Sequence, residues 1–180
     1  MRLDLFDSTK LNRGRPAWFE LIWLLVQALF ISSWIPGARY RRALLRLFGA
    51  KVGKDVNIKP GVRIKMPWRL EVGDYSWLGE NLWIDNLSLV SIGNHCCLSQ
   101  GVYLCTGSHD WQASRFDLIS APITICDKAW LGAKSVVGPG VTVGEGAVLA
   151  LGSVATKDLK PWWIYQGNPA MPVKERKIGK

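Results

Sequence analysis

From Val52 onward, an aliphatic side chain returns every sixth residue. The positions are Val52, Ile58, Ile64, then Val72, Leu78, Ile84, then Ile92, Leu98, Leu104, then Ile125, Leu131, Val137, then Val143, Leu149, Ala155, and fourteen of these fifteen are Val, Ile or Leu. The residue after each is Gly at seven of the fifteen positions, and the fifth residue of each hexad is usually small or β-branched. A period of six is neither the 3.6 of a helix nor the 2.0 of a simple strand. One inward aliphatic residue, a short strand and a turn make one flat face, and three faces make an 18-residue coil. The hexads group into five coils, 52–69, 72–89, 92–109, 125–142 and 143–160, interrupted at 70–71, 90–91 and 110–124. The pattern predicts an all-β parallel β-helix in which each coil buries its ladder against the next.

Ahead of the repeat, residues 1–16 are polar and read as an extended arm. Residues 17–35 are apolar on nearly every side, broken by Glu20, Gln27, Ser32 and Ser33, and ended by Pro36-Gly37. Trp18, Trp23 and Trp34 lie toward the ends or one side, as interfacial aromatics do. Arg39, Arg41, Arg42 and Arg46 then alternate with Leu44, Leu45, Leu47 and Phe48 as a short basic amphipathic helix. Three readings stay open for 17–48: a helical hairpin packed on the body or on a neighbouring subunit, a segment lying in a membrane interface, or a span. Glu20 and Gln27 weigh against spanning, and the lack of a small-residue cleavage site argues against a removed leader. The domain boundaries are an arm and helical segment at 1–51, a β-helix at 52–160 with loop 110–124, and a tail at 161–180. The tail should fold back as a turn and short helix over the last coil, whose strand edges would otherwise be exposed.

Charge adds a second asymmetry. The net charge is +9, and residues 1–51 hold nine Lys/Arg against three Asp/Glu, so +6 lies there. That bias suits an anionic surface or a polyanionic cofactor. Nucleic acid is disfavoured, because the repeat has no basic stripe with interleaved aromatics. Cys96, Cys97, Cys105 and Cys126 have no CxxC spacing, and adjacent Cys96 and Cys97 face opposite ways on a strand, so free thiols in a reducing cytoplasm are expected. With only two histidines, a three-His zinc site is not available and no metal is expected.

His95 follows Gly93-Asn94 and reads as an exposed turn residue. His109 ends the third coil at the mouth of the 110–124 interruption, on the outside of a rigid wall. An imidazole there can take a proton from a hydroxyl. Its other nitrogen needs an acceptor, either a backbone carbonyl or a carboxylate such as Asp110. Cys105, next to inward Leu104, reads as filler.

The stretches Ser99-Gln100-Gly101-Val102-Tyr103-Leu104-Cys105-Thr106-Gly107-Ser108-His109-Asp110, Ala129-Trp130-Leu131-Gly132-Ala133, Gly138-Pro139-Gly140-Val141-Thr142-Val143-Gly144 and Gly167-Asn168-Pro169-Ala170 resemble the hexapeptide-repeat acyltransferases, in particular the maltose/galactoside O-acetyltransferase group. Pro67-Trp68, Asn86-Leu87, Thr106-Gly107-Ser108-His109-Asp110 and the apolar N-terminal segment are most similar to its colanic acid biosynthesis branch. The resemblance implies a left-handed coil, a homotrimer with sites between subunits, and acetyl-CoA as co-substrate. It implies His109 as general base, Trp130 as a wall of the acetyl-CoA channel, and an N–H near Gly132-Ala133 as an oxyanion donor. Ala133 stands where galactoside enzymes have Ser, so no hydroxyl is available there. Leu151, Thr156 and Lys157 fall along the pantetheine and nucleotide end. Met171 replaces a phosphate-binding arginine, which leaves Lys157, Lys174 or Arg176 for that charge. Asp85 and Asn86, one coil below His109, are candidates to hold the acceptor, with turn formation as the competing role, and Asp110 beside His109 is a third candidate.

The function expected is acetyl transfer from acetyl-CoA to a sugar hydroxyl of an exopolysaccharide repeat, in the cytoplasm or on the inner face of the membrane. A lipid-linked oligosaccharide is the favoured acceptor. A small free acceptor (a simple sugar or an antibiotic) and a non-catalytic scaffold remain as alternatives.

Overall fold

The computed structural model describes residues 2–7 and 12–179. The expected extended arm falls partly outside them, at residues 1 and 8–11. Within them it makes one 3-10 turn at Leu3–Leu5.

All fifteen ladder positions are buried, and they stack in three parallel sheets that form the faces of a triangular prism. On the first face Val52, Val72, Ile92, Ile125 and Val143 are in register. On the second, Ile58, Leu78, Leu98, Leu131 and Leu149 align. On the third, Ile64, Ile84, Leu104, Val137 and Ala155 align. Most fifth positions also point inward, with Val56, Val62, Ser76, Leu82, Cys96, Val102, Ala129 and Ser135 at or below 1% exposure. Small residues recur there because two inward side chains share each hexad. The glycine after the ladder residue has a separate cause. At Gly132 an added Cβ would come within 2.6 Å of Leu151 N, so the next coil's backbone occupies the space.

The corner between the third and first faces carries a different column: Met66, Asn86 and Thr106, all buried. Asn86 Oδ1 accepts from Met66 N at 2.9 Å, and its Nδ2 donates to Met66 O at 2.7 Å and Arg69 O at 3.0 Å. The corner turn at Met66–Arg69 is therefore closed by one buried, satisfied amide, that of Asn86.

The tail departs from expectation. It forms no helix and does not leave the prism. Leu159 bridges to Val143, and Trp163–Gly167 pairs in parallel with the second face, placing Tyr165 over Leu149. Ala170–Glu175 then folds back antiparallel on it. Tyr165 is buried, so the edge of the fifth coil is satisfied by a partial sixth coil.

The opposite end is closed by helices. α1 (Ala17–Val26) continues as one π turn at Gln27–Ile31, and α2 (Ala38–Leu47) follows. Trp23 is fully buried and donates Nε1–H to Ile64 O at 2.8 Å, while Gln27 Oε1 accepts from Ile64 N at 2.6 Å. Arg42 donates to Val56 O, and Arg46 to Val52 O and Gly53 O. These two arginines of the basic amphipathic helix therefore occupy first-coil carbonyls. Of the three readings of 17–48, packing on the body holds for one side of α1. No helix among the described residues is long and apolar enough to cross a membrane.

Candidate active site

His109 is displaced from its expected place. The chain leaves the prism at Gly107, where Gly107–His109 pairs antiparallel with Leu118–Ser120. Ala121 N donates to Thr106 O at 3.0 Å and closes the base of this hairpin. His109 thus stands on an excursion spanning 107–120, instead of on the prism wall before a loop at 110–124. At Gly107 the strand passes close over Leu87, whose Cδ1 would lie 2.9 Å from an added Cβ.

His109 Nδ1 lies 2.8 Å from Phe116 O. A carbonyl can only accept, so Nδ1 carries a proton, and in the neutral ring the lone pair is then on Nε2. The imidazole stacks on the Phe116 ring at 4.2 Å and 5°, and the Phe6 ring tilts against it at 5.6 Å. Asp110 is committed elsewhere: its Oδ1 accepts from Gln112 N and Ala113 N at 3.0 and 3.2 Å. The carbonyl is therefore the orienting group. Nothing in the sequence marks Phe116 as that partner, because the pairing is made by the hairpin.

Asp85 lies on the third face below the hairpin. It pairs with Lys65 Nζ at 2.8 Å and accepts from Tyr103 Oη at 3.3 Å. Tyr103 stacks on Trp83 at 4.5 Å, and Arg63 lies over Trp83. Burial, then the neighbouring Cys105 and Asp85, push the Tyr103 phenol well above its usual value, so it stays a donor. Asn86 is corrected: its amide is fully used inside the corner and cannot reach an acceptor.

The second face carries a groove of about 660 Å³ lined by Ser99, Trp130, Ala133, Leu151, Ile164 and Arg176, with Gly132 in its floor. Trp130 is half-exposed and donates Nε1–H to Ser99 Oγ at 3.0 Å, which fixes its ring as a wall. Leu151 is 75% exposed above the floor. Gly132 N–H is taken by Leu149 O at 2.7 Å and is unavailable as an oxyanion donor, leaving Ala133 of that pair. Ile164 and Arg176 also line a second hollow with Lys174, Glu175 and Lys177, so the groove runs on into a basic end. Arg176 is anchored to Lys128 O and Gly146 O. Thr156 and Lys157 are exposed on the turn after the third face and line neither hollow. Ser99 and Ile164 went unmarked in the sequence; their place follows from coil register alone.

The four cysteines are unpaired. Burial pushes the Cys96 thiol up to about 11, and Cys105 Sγ is turned to Gly107 O at 3.2 Å. Among the described residues no group of three or more His, Cys, Asp or Glu could hold a metal ion.

His109 and Trp130 line no common cavity among those described. The hairpin leaves from the corner between the third and first faces, whereas Trp130 is on the second face, opposite that corner.

No protein-family profile matches the chain. A protein of Escherichia coli strain K12, named "Putative colanic acid biosynthesis acetyltransferase WcaF", is 43% identical over 176 residues, 97% of this chain and 96% of its own. Galactoside O-acetyltransferase of the same strain is 29% identical over 138 residues, 75% of this chain and 68% of its own. Among solved structures, the hexapeptide-repeat acetyltransferase VCA0836 of Vibrio cholerae, complexed with acetyl coenzyme A, superposes with a TM-score of 0.78 at 26% identity, covering 94% of this chain and 98% of that one. With its ladder, its groove and a relative matched over nearly its whole length, the chain belongs to the hexapeptide-repeat acetyltransferases and is an acetyl-CoA-dependent acyltransferase.

Proposed function

We propose that this enzyme moves an acetyl group from acetyl-CoA to a sugar hydroxyl of an exopolysaccharide repeat, with His109 as general base. The observation that carries the mechanism is the His109 Nδ1–Phe116 O contact, which leaves Nε2 as the proton acceptor. The hydroxyl oxygen attacks the thioester carbonyl carbon while Nε2 takes its proton. The negative charge moves to the carbonyl oxygen, held by the Ala133 N–H. Collapse expels the CoA thiolate, which takes the proton back from the imidazolium. No enzyme-bound acetyl intermediate forms. Asp85 orients the acceptor from the third face. The pantetheine arm lies between Trp130 and Leu151, and the phosphates meet Lys174 and Arg176.

Because His109 and Trp130 lie across the prism from each other, the base of one chain serves the groove of another. A homotrimer with three inter-subunit sites satisfies this. The name of the WcaF relative supports a colanic-acid-like acceptor, and acetyl-CoA as donor supports a cytoplasmic location. We place the acceptor on a lipid carrier at the inner face of the membrane.

The test is incubation with labelled acetyl-CoA and a membrane extract that contains lipid-linked oligosaccharides. Label should enter the lipid-linked fraction and disappear with His109→Ala. Label confined to free small molecules would remove the exopolysaccharide reading. Unchanged transfer by His109→Ala would remove the base assignment.

A further inference from the structure

α1 is packed inside out. The polar side chains of residues 17–35 are all engaged by the protein. Glu20, whose side chain is 16% exposed, pairs with Arg13. Gln27 Oε1 accepts from Ile64 N, Ser32 Oγ donates to Val62 O, and Ser33 Oγ donates to Phe30 O. The side facing solvent is apolar throughout. Leu21, Ile22, Leu25 and Leu29 follow one another at helical spacing, all 45–62% exposed, with Trp18 and Trp34 at the two ends, 63% and 77% exposed. An amphipathic helix in water normally turns its apolar stripe to the core and its polar residues outward. Here Trp23 and Ile31 satisfy the core while a second apolar stripe is left over. A contiguous exposed patch of this kind marks a contact surface.

We infer that the outward face of residues 17–35 docks flat on an anionic lipid surface. Three observations favour lipid over a second copy of the chain. No charged side chain is exposed within the patch, yet Arg15 precedes it and Arg39 follows it, both exposed. Cations beyond both ends suit anionic headgroups, and face-to-face pairing of two copies would bring them together. Trp at both ends matches the headgroup level of an interface. The helical stretch 17–31 spans only ~22 Å at 1.5 Å per residue, which suits lying in the plane better than crossing. This deepens the membrane-side acceptor proposed above, but the docking is measurable without acetyl transfer.

The test uses the full chain with no acetyl-CoA present. Cosedimentation is measured with vesicles of phosphatidylcholine alone and of phosphatidylcholine with phosphatidylglycerol. The protein should bind the mixed vesicles more tightly, and Leu21→Glu with Leu25→Glu should cut binding by ~10-fold or more. Wild-type protein left in the supernatant with both vesicles would overturn the inference. So would undiminished binding by the double variant, or a fall in its oligomeric state without vesicles, which would assign the face to a contact between copies. Should that variant fail to fold, brominated lipid provides a second reading. It should quench the wild-type tryptophan fluorescence, and quenching that persists in Trp18→Phe with Trp34→Phe would refute the docking.

Discussion

The carbonyl oxygen of Phe116 sits 2.8 Å from His109 Nδ1, and the Phe116 ring lies parallel to the same imidazole at 4.2 Å. One residue thus sets the tautomer through its backbone and the ring plane through its side chain. With His109 as the proposed base, His109→Ala should lower kcat by ~10²–10⁴-fold while leaving CoA affinity intact. Phe116→Ala keeps the carbonyl and loosens the ring, so kcat should fall by a smaller factor, ~10-fold, with KM for acetyl-CoA unchanged. Steady-state kinetics with calorimetric CoA titration separate the two.

Trp130 gives the converse signature. Its ring is a wall of the groove and lies off the hairpin, held by Ser99 Oγ. Trp130→Ala should raise KM for acetyl-CoA by ~10-fold, equivalent to ~1.4 kcal/mol of binding, with a smaller change in kcat. An unchanged KM would move the donor off the second face.

Arg41 tests the helical cap. It is 1% exposed, and its guanidinium donates to the carbonyls of Ile31, Gly37, Ser33 and Ile35. These groups belong to the π turn and the linker between α1 and α2, so one side chain ties the hairpin shut. Arg41→Met should cost ~3 kcal/mol, because the carbonyls lose charge-assisted partners in a buried place. A denaturant titration would show it as a lowered midpoint.

Acid stability should depend on the turn ladder Asp74–Asn94–Asp127. Asn94 Oδ1 accepts from Asp74 N, and Asp127 Oδ1 accepts from Asn94 N, each at 2.8 Å. The Asn94 N–H, then its side-chain amide, hold the Asp127 carboxyl below its usual value. A depressed folded pKa means that the stabilisation is present above the unfolded value of ~3.9 and is lost as pH falls through the lower folded value. Asp127→Ala should therefore flatten the acid limb of the stability curve below pH ~4, followed by unfolding midpoints across that range.

The prism was legible because its physics is repetitive. A residue that must stack on its counterpart one coil away, as Leu98 does on Leu78 and Leu131, writes its burial into the sequence at a fixed interval. The glycines after the ladder follow equally directly from the close approach of successive backbones. The motif around His109 marked the proposed base by resemblance alone, and the groove residues Trp130, Ala133 and Leu151 fell on one face because register put them there.

Whatever left the period became illegible. The same hexad count carried His109 onto the prism wall, but antiparallel pairing with Leu118–Ser120 lifted it off and supplied Phe116. Asn86 could face a sugar or a turn by its residue type, and only corner geometry bound its amide to Met66 and Arg69. The arginines of α2 had charge without direction until the open edge of the first coil gave them carbonyls. The sequence by itself determined the periodic core, since nearest-neighbour stacking is encoded locally and repeated. The tertiary structure decided the tautomer of His109, the closure of both prism ends and the apolar stripe turned to solvent. Each of these depends on which unpaired backbone group or uncovered face a non-periodic segment meets, and no spacing along the chain records that.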